Sequence, residues 1–115
     1  MKILTPKIHG VLDYAVVLVF LAAPALFGMT GIAAQLSYAL AAVHLALTLS
    51  TDFPMGALRM IPLPVHGWIE LVVAPTLIAA PWILGFTANA RGFYIAAGAA
   101  IFVTWCATDY RETTR

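Results

Sequence analysis

One uninterrupted apolar stretch decides the fold. Residues 14 to 51 read YAVVLVFLAAPALFGMTGIAAQLSYALAAVHLALTLST, and this stretch contains no Lys, Arg, Asp or Glu. A helix rises about 1.5 Å per residue, so a hydrocarbon layer of about 30 Å takes roughly 20 residues to cross. The stretch is too long for one membrane span and fits two, with a break at Gly28-Met29-Thr30-Gly31.

The second half of the chain carries the same kind of signal. Residues 71–90 and 92–108 contain no charged side chain, and Arg91 separates them. We therefore predict four transmembrane helices, at about 8–28, 31–50, 64–86 and 91–108. Runs such as VVLVFL at 16–21 lack the alternation of a β-barrel strand. The predicted fold class is an all-α, polytopic membrane protein.

Composition supports this prediction and excludes other classes. Of the 115 residues, 63% are apolar and 10% are charged, and the mean hydropathy is +0.95. Soluble domains carry about 25% charged residues, so a soluble enzyme and a disordered segment are excluded. The net charge of +1, without a basic cluster, excludes a nucleic-acid partner. We expect one membrane domain over residues 1–115, with the lipid bilayer as its surroundings.

The cations predict the orientation. Five lie on the side that holds both termini and the connection at 51–63: Lys2, Lys7, Arg59, Arg111 and Arg115. The other side holds Arg91 alone. Because cytoplasmic segments carry the excess of Lys and Arg, we expect a multi-pass protein of the inner membrane with both termini in the cytoplasm.

The chain contains an internal repeat. When His9 is aligned with His66, the two halves match without a gap, and 13 of the 45 aligned positions from His9 to Phe53 are identical. The matches include His9-Gly10 with His66-Gly67, Asp13 with Glu70, Pro24 with Pro81, Gly28 with Gly85, and Thr51-Asp52-Phe53 with Thr108-Asp109-Tyr110. This predicts two tandem, parallel two-helix repeats at about 5–53 and 62–110, joined by a short interfacial helix at about 53–60.

The proline of each repeat stands inside a predicted span. Pro24 and Pro81 leave the carbonyls of Phe20 and Leu77 without their helical donors. Such a bend serves packing, or it frees a carbonyl for an ion or a hydroxyl.

The repeat also resembles a known family. The segment Ala80-Pro81-Trp82-Ile83-Leu84-Gly85-Phe86, preceded by His66-Gly67 and closed by Thr108-Asp109-Tyr110, is similar to the SPW-repeat family of small bacterial membrane proteins. Two positions depart from the pattern: Ala80 replaces Ser, and Ala25 stands in the first copy where the second has Trp82. The resemblance implies the two-helix units and carries no established activity.

Small residues at four-residue spacing predict close helix approach. Two stripes occur: Gly92, Ala96 and Ala100, and Ala33, Ser37 and Ala41. With little interior available in four short helices, we expect a homo-oligomer.

The candidate site consists of His9, Asp13, His44, His66 and Glu70. In each repeat a carboxylate follows a histidine by four positions, which places both on one helical face. Glycine follows each of these two histidines and allows a neighbouring backbone to approach. His44 lies at a similar depth in the second span, and its counterpart in the repeat is Ile101. All five residues are therefore expected in one leaflet.

Three interpretations of these residues remain open. The pairs are structural polar contacts of an accessory membrane component, a proton or ion site of a small conduit, or ligands of a metal or haem. No catalytic arrangement is recognised, Cys106 is the only cysteine, and no cofactor is predicted.

Overall fold

The predicted four-helix, all-α architecture is confirmed. A computed structural model describes residues 2–111, and its helices are α1 (Pro6–Leu26), α2 (Gly31–Ser50), α3 (Leu63–Leu84) and α4 (Ala88–Ala107). Every predicted helix end lies within three residues of the observed one. All four helices are long and apolar enough to cross a membrane.

Specific residues begin and end the helices. Thr5 Oγ1 accepts a hydrogen bond from the backbone N–H of Ile8 at 3.3 Å, and Pro6 occupies the first helical position of α1. Gly28 and Gly85 follow the ends of α1 and α3 with φ values of +60° and +68°. A Cβ atom at either glycine would meet nothing within 4 Å, so the left-handed backbone, not space, requires glycine there.

The helices form two hairpins, α1–α2 and α3–α4, that are tied at both ends. At one end, the Asn89 side chain donates to the Phe27 carbonyl at 3.3 Å. At the other end, Leu4 pairs with Thr108, and strand β1 (Thr51–Asp52) pairs in parallel with β2 (Ile61–Pro62). Each hairpin therefore begins beside the end of the other, at equivalent positions of the repeat.

The bundle interior is mostly apolar away from this second end. Val17 and Phe20 of α1, Ala74 and Leu77 of α3, and Tyr94 of α4 belong to the buried core. Many large apolar side chains point outward, including those of Leu18, Val43, Val72, Ile83 and Val103. Of the two small-residue stripes, Ala33, Ser37 and Ala41 face this core, whereas Gly92, Ala96 and Ala100 are exposed.

The proline inside α1 frees a carbonyl that a hydroxyl then occupies. Ser37 Oγ, on α2, donates a hydrogen bond of 2.6 Å to the Phe20 carbonyl, which Pro24 leaves without a helical donor. The proline therefore also allows a bond between the two helices of the first hairpin.

The prediction of a short helix at 53–60 is wrong. These residues form bends and turns that fold back onto the end of α2. The N–H groups of Ala57 and Leu58 donate to the Leu49 carbonyl at 2.8 and 2.9 Å, and that of Met60 donates to the Ser50 carbonyl at 2.7 Å. The last carbonyls of α2 need donors, and these N–H groups supply them instead of closing helical turns of their own.

Candidate metal centre

The two histidine–carboxylate pairs meet in one buried cluster. The start of α1 carries His9 and Asp13, and the start of α3 carries His66 and Glu70. One ligand atom from each of the four lies within 4.8 Å of the others, and all four residues are buried. We call these four residues the centre. It lies at the end of the bundle where the two hairpins begin.

Contacts within the centre run across the hairpins as well as along each helix. His9 Nε2 lies 2.9 Å from Glu70 Oε1 and 3.3 Å from Asp13 Oδ1. His66 Nε2 lies 3.1 Å from Asp13 Oδ2 and 3.3 Å from Glu70 Oε1. Each imidazole is therefore closer to the carboxylate of the other hairpin than to that of its own helix.

Two threonines determine which nitrogen of each neutral imidazole ring carries the hydrogen. Thr108 Oγ1 donates its hydrogen to the Thr104 carbonyl at 2.6 Å and lies 2.8 Å from His9 Nδ1. Because a hydroxyl carries a single hydrogen, Thr108 accepts from His9, and Nδ1 of that ring is the donor.

The second hairpin's histidine is held in the same way. Thr51 Oγ1 donates to the Leu47 carbonyl at 2.7 Å and accepts from His66 Nδ1 at 2.7 Å. Both imidazoles therefore point Nε2 into the centre, and in the neutral ring that atom bears a lone pair.

The atoms that face each other inside the centre lie at ion-pair distances. Within residues 2–111, Nε2 of His9, Nε2 of His66 and Oδ2 of Asp13 are buried, and each lies about 3 Å from its nearest partner without a hydrogen bond of regular geometry. The carboxylates offer acceptors alone, as do neutral Nε2 atoms. Such a group of converging lone pairs is stable only around a cation, whether bound protons or a metal ion.

One further residue contacts each carboxylate. The Tyr110 hydroxyl donates to Glu70 Oε1 at 3.1 Å, while His44 Nε2 lies 3.5 Å from Asp13 Oδ1. Burial and the neighbouring Glu70 carboxylate raise the pKa of the Tyr110 phenol above its usual range, so this hydroxyl remains a donor. His44 is not one of the four residues of the centre.

The glycines after the histidines accommodate side chains, not the backbone that the sequence predicts. A Cβ atom at Gly10 would lie 2.6 Å from Met55 Cβ, and one at Gly67 would lie 2.9 Å from the Tyr110 ring. Phe53 also packs on the His66 ring, with centroids 5.9 Å apart. Residues from the 53–60 loop and from the end of the chain thereby cover the centre.

The other sequence motifs lie away from the centre. Pro81 is buried inside α3, and Trp82 is exposed on its surface. Asp109 Oδ1 accepts from the Arg111 backbone N–H at 3.0 Å, and Asp52 lies in β1. Arg115, one of the cations in the orientation argument, lies outside the described residues.

Three residues that contact the centre, Thr51, Thr108 and Tyr110, are not among the five site residues that the sequence predicts. The repeat gives a signal for them, since both threonines belong to the repeated Thr-Asp-aromatic motif and occupy the same position in the two copies.

The donor set favours divalent transition metals. Two imidazole nitrogens with two carboxylate oxygens suit Zn²⁺ and, with added ligands, Mn²⁺ or Fe²⁺. Threonine acceptors on the outer nitrogens resemble the supporting hydrogen bonds of metal-ligating histidines. Comparison of the chain with protein-family models, curated proteins and solved structures finds no match.

Proposed function

We propose that this chain is a multi-pass membrane protein that binds one divalent transition-metal ion between its two helical hairpins. The observation that carries the proposal is the pair of threonine-held imidazoles, His9 and His66, whose Nε2 atoms lie 2.9 to 3.3 Å from two carboxylates.

The membrane location is supported by the four apolar helices and their outward-facing side chains. The excess of Lys and Arg on one side supports an inner-membrane protein with cytoplasmic termini. Two tandem repeats are supported by contacts that recur at equivalent positions, such as His9 with Thr108 and His66 with Thr51. Membership of the SPW-repeat family stays a prediction.

A divalent ion would balance the charge of the centre. Asp13 and Glu70 contribute two negative charges, and imidazoles that bind a metal through Nε2 are neutral, whereas two imidazolium rings would balance the same charge without a metal. One divalent cation makes the centre neutral, which matters where ionised groups lose most of their hydration.

The spacing of the ligand atoms supports a small ion. Zinc lies about 2.0–2.1 Å from nitrogen and oxygen ligands, so the edges of its tetrahedron measure about 3.3 Å. The four nitrogen–oxygen separations in the centre run from 2.9 to 3.3 Å, with His9 and His66 facing different oxygens of Asp13. With one ligand atom from each residue, all four atoms lie within 4.8 Å of one another, so the side chains would close inward around a metal ion. A haem has no such support, because carboxylates this close to both Nε2 atoms leave no room for a porphyrin.

The alternative of a small proton or ion conduit has less support. Beyond the centre the buried interior is mostly apolar, with Val17, Phe20 and Leu77 among its side chains. The buried hydroxyls of Ser37 and Tyr94 each donate to a backbone carbonyl, which leaves few polar groups for an ion to cross the rest of the bundle. We propose a binding centre that is closed toward the far side.

Metal analysis of the purified protein tests the proposal. We expect the wild-type chain in detergent to bind about one equivalent of Zn²⁺, and Co²⁺ in its place to give the visible absorption of a four-coordinate ion. Asp13→Asn keeps the shape of the side chain and removes a ligand charge. It should weaken Zn²⁺ binding by at least about tenfold.

Asp109→Asn is the matched control, since it makes the same chemical change outside the centre. It should bind Zn²⁺ as the wild type does. A wild-type protein that takes up neither Zn²⁺, Co²⁺ nor Mn²⁺ in titration refutes metal binding, and the centre is then a structural ion-pair cluster with protonated imidazoles.

A further inference from the structure

The two carboxylates of the centre have different outside partners. Glu70 accepts a hydrogen bond from the Tyr110 hydroxyl. This hydroxyl offers no nitrogen atom that could bind a metal ion in place of the Glu70 carboxylate. Asp13 faces His44, a side chain that can itself bind a metal ion. The four residues of the centre therefore form two equivalent pairs, whereas the residues that contact the two carboxylates from outside, His44 and Tyr110, differ.

Comparison of the two repeats shows that this asymmetry arises at two positions, 44 and 110. Ile101 is the counterpart of His44 in the second copy, and Phe53 is the counterpart of Tyr110 in the first. Neither counterpart offers a nitrogen or oxygen atom in its side chain. Each half of the chain therefore has one extra polar residue, of a different kind and at a different place.

We propose that His44 is the exchange ligand of the centre, the residue that takes over the metal ion when Asp13 releases it. This inference rests on the proposed metal binding. It assigns the side of the centre that faces α2 as the side at which the ion enters and leaves.

Position and exposure support this role. His44 Nε2 is buried without a hydrogen-bond partner among the described residues, and it lies 3.5 Å from Asp13 Oδ1. The His44 side chain is 12% exposed, whereas the side chains of the four ligands are at most 4% exposed. His44 thus lies next to the centre and closer to the outer face of α2 than the four ligands do, while its Nε2 atom stays buried beside Asp13.

The exchange step is a simple substitution of ligands. The bond from the metal to Asp13 Oδ1 breaks as a bond to His44 Nε2 forms, using the nitrogen lone pair. The ion remains divalent and four-coordinate, so the step needs no oxidant or reductant. Glu70 keeps its place because the Tyr110 hydroxyl fixes its orientation.

Metal-release kinetics test the role of His44. The full chain in detergent is loaded with Co²⁺, excess EDTA is added, and the loss of visible absorption is followed in time. His44→Ile introduces isoleucine, the residue found at the equivalent position 101 of the second repeat. We expect it to slow release by about tenfold while the equilibrium Kd changes far less, because loading slows equally.

The control is Leu45→Ile, which places the same residue at the next, exposed position of α2 and should release Co²⁺ like the wild type. His44→Gln provides a second variant if the first does not fold. Equal release rates in the His44 variants and the control overturn the inference and leave metal binding intact. A loss of affinity as large as that of Asp13→Asn also overturns it, since His44 is then a resident ligand. A wild type that binds no Co²⁺ refutes both proposals.

Discussion

At the residue scale, Thr51 and Thr108 each use one hydroxyl for two purposes. The hydrogen closes a bond to the carbonyl four residues earlier, and the oxygen accepts from a histidine Nδ1. Because the bond to the carbonyl uses the only hydroxyl hydrogen, the threonine can only accept a hydrogen bond from the ring. Two helix ends thereby determine which nitrogen of each imidazole faces the centre.

Removal of either hydroxyl should weaken metal binding. Thr108→Val keeps the size of the side chain and leaves His9 Nδ1 without its acceptor, so the ring loses its fixed tautomer. We expect Zn²⁺ affinity in a chelator competition to fall by about 10–100-fold, and Thr51→Val to act in the same way through His66.

Thr104→Val is the matched control for this prediction. Thr104 Oγ1 also donates to a carbonyl four residues earlier, at 2.8 Å, but the residue is only half-buried and has no bond to either histidine ring. Equal Zn²⁺ affinity in the Thr108 and Thr104 variants would show that the hydroxyl at 108 does not hold the ring.

At the element scale, α1 and α2 are joined through a carbonyl that a proline leaves free. Pro24 removes the helical donor of the Phe20 carbonyl, and Ser37 Oγ supplies a replacement across the hairpin at 2.6 Å. A hydrogen bond between apolar helices contributes about 1 kcal/mol, and an unpaired buried carbonyl costs more. The pair Pro24 and Ser37 should therefore act together on stability.

A double-mutant cycle tests this coupling. We expect Ser37→Ala to lower the free energy of unfolding by about 1 kcal/mol or more, because the Phe20 carbonyl then has no donor. In a Pro24→Ala background the new backbone N–H satisfies that carbonyl, so Ser37→Ala should cost much less. Denaturant titration in mixed micelles measures all four proteins. A cost for Ser37→Ala that is the same in both backgrounds contradicts the coupling.

The sequence predicts the four helices and does not predict the course of the 53–60 loop, for a physical reason. Charge-free stretches long enough to cross a bilayer report directly on the helices, and Gly28 and Gly85 mark where α1 and α3 end. The 53–60 segment contains Phe53, Met55 and Leu58, which fit an interfacial helix by composition. Its course depends instead on the unsatisfied carbonyls at the end of α2, which become available only after that helix has formed.

At the scale of the whole molecule, the centre links the two hairpins at one end of the bundle. The spacing of four residues predicted each pair along its own helix. It did not predict that His9 lies nearer to Glu70 than to Asp13, because that distance depends on how α1 packs against α3. Local spacing fixes which residues share a helix face, whereas packing between hairpins decides which of them meet.

The orientation in the membrane can be tested with single cysteines. In a Cys106→Ala background, Leu58→Cys places a thiol on the exposed loop at 58, and Ala88→Cys places one at the exposed start of α4. We expect an impermeant maleimide to label position 88 in cells whose outer membrane is opened, and position 58 only after the inner membrane is permeabilised.

Labelling of the detergent-solubilised protein at both positions is the control for reactivity. If intact inner membranes protect position 88 and leave position 58 reactive, the termini lie outside the cytoplasm. If both positions react from the same side, the chain does not cross the membrane in two hairpins.

The depth of the centre has an electrical consequence. Asp13 is the eighth residue of α1, so in the proposed orientation the ion lies about a third of the way across the hydrocarbon layer from the cytoplasm. The cytoplasm is the negative side of the membrane voltage, so each net positive charge that the centre gains on metal binding costs about 0.8 kcal/mol per 100 mV at this depth. If metal binding occurs, we expect an energised membrane to weaken it by about fourfold for each such charge, and to have no effect if the ion displaces two protons.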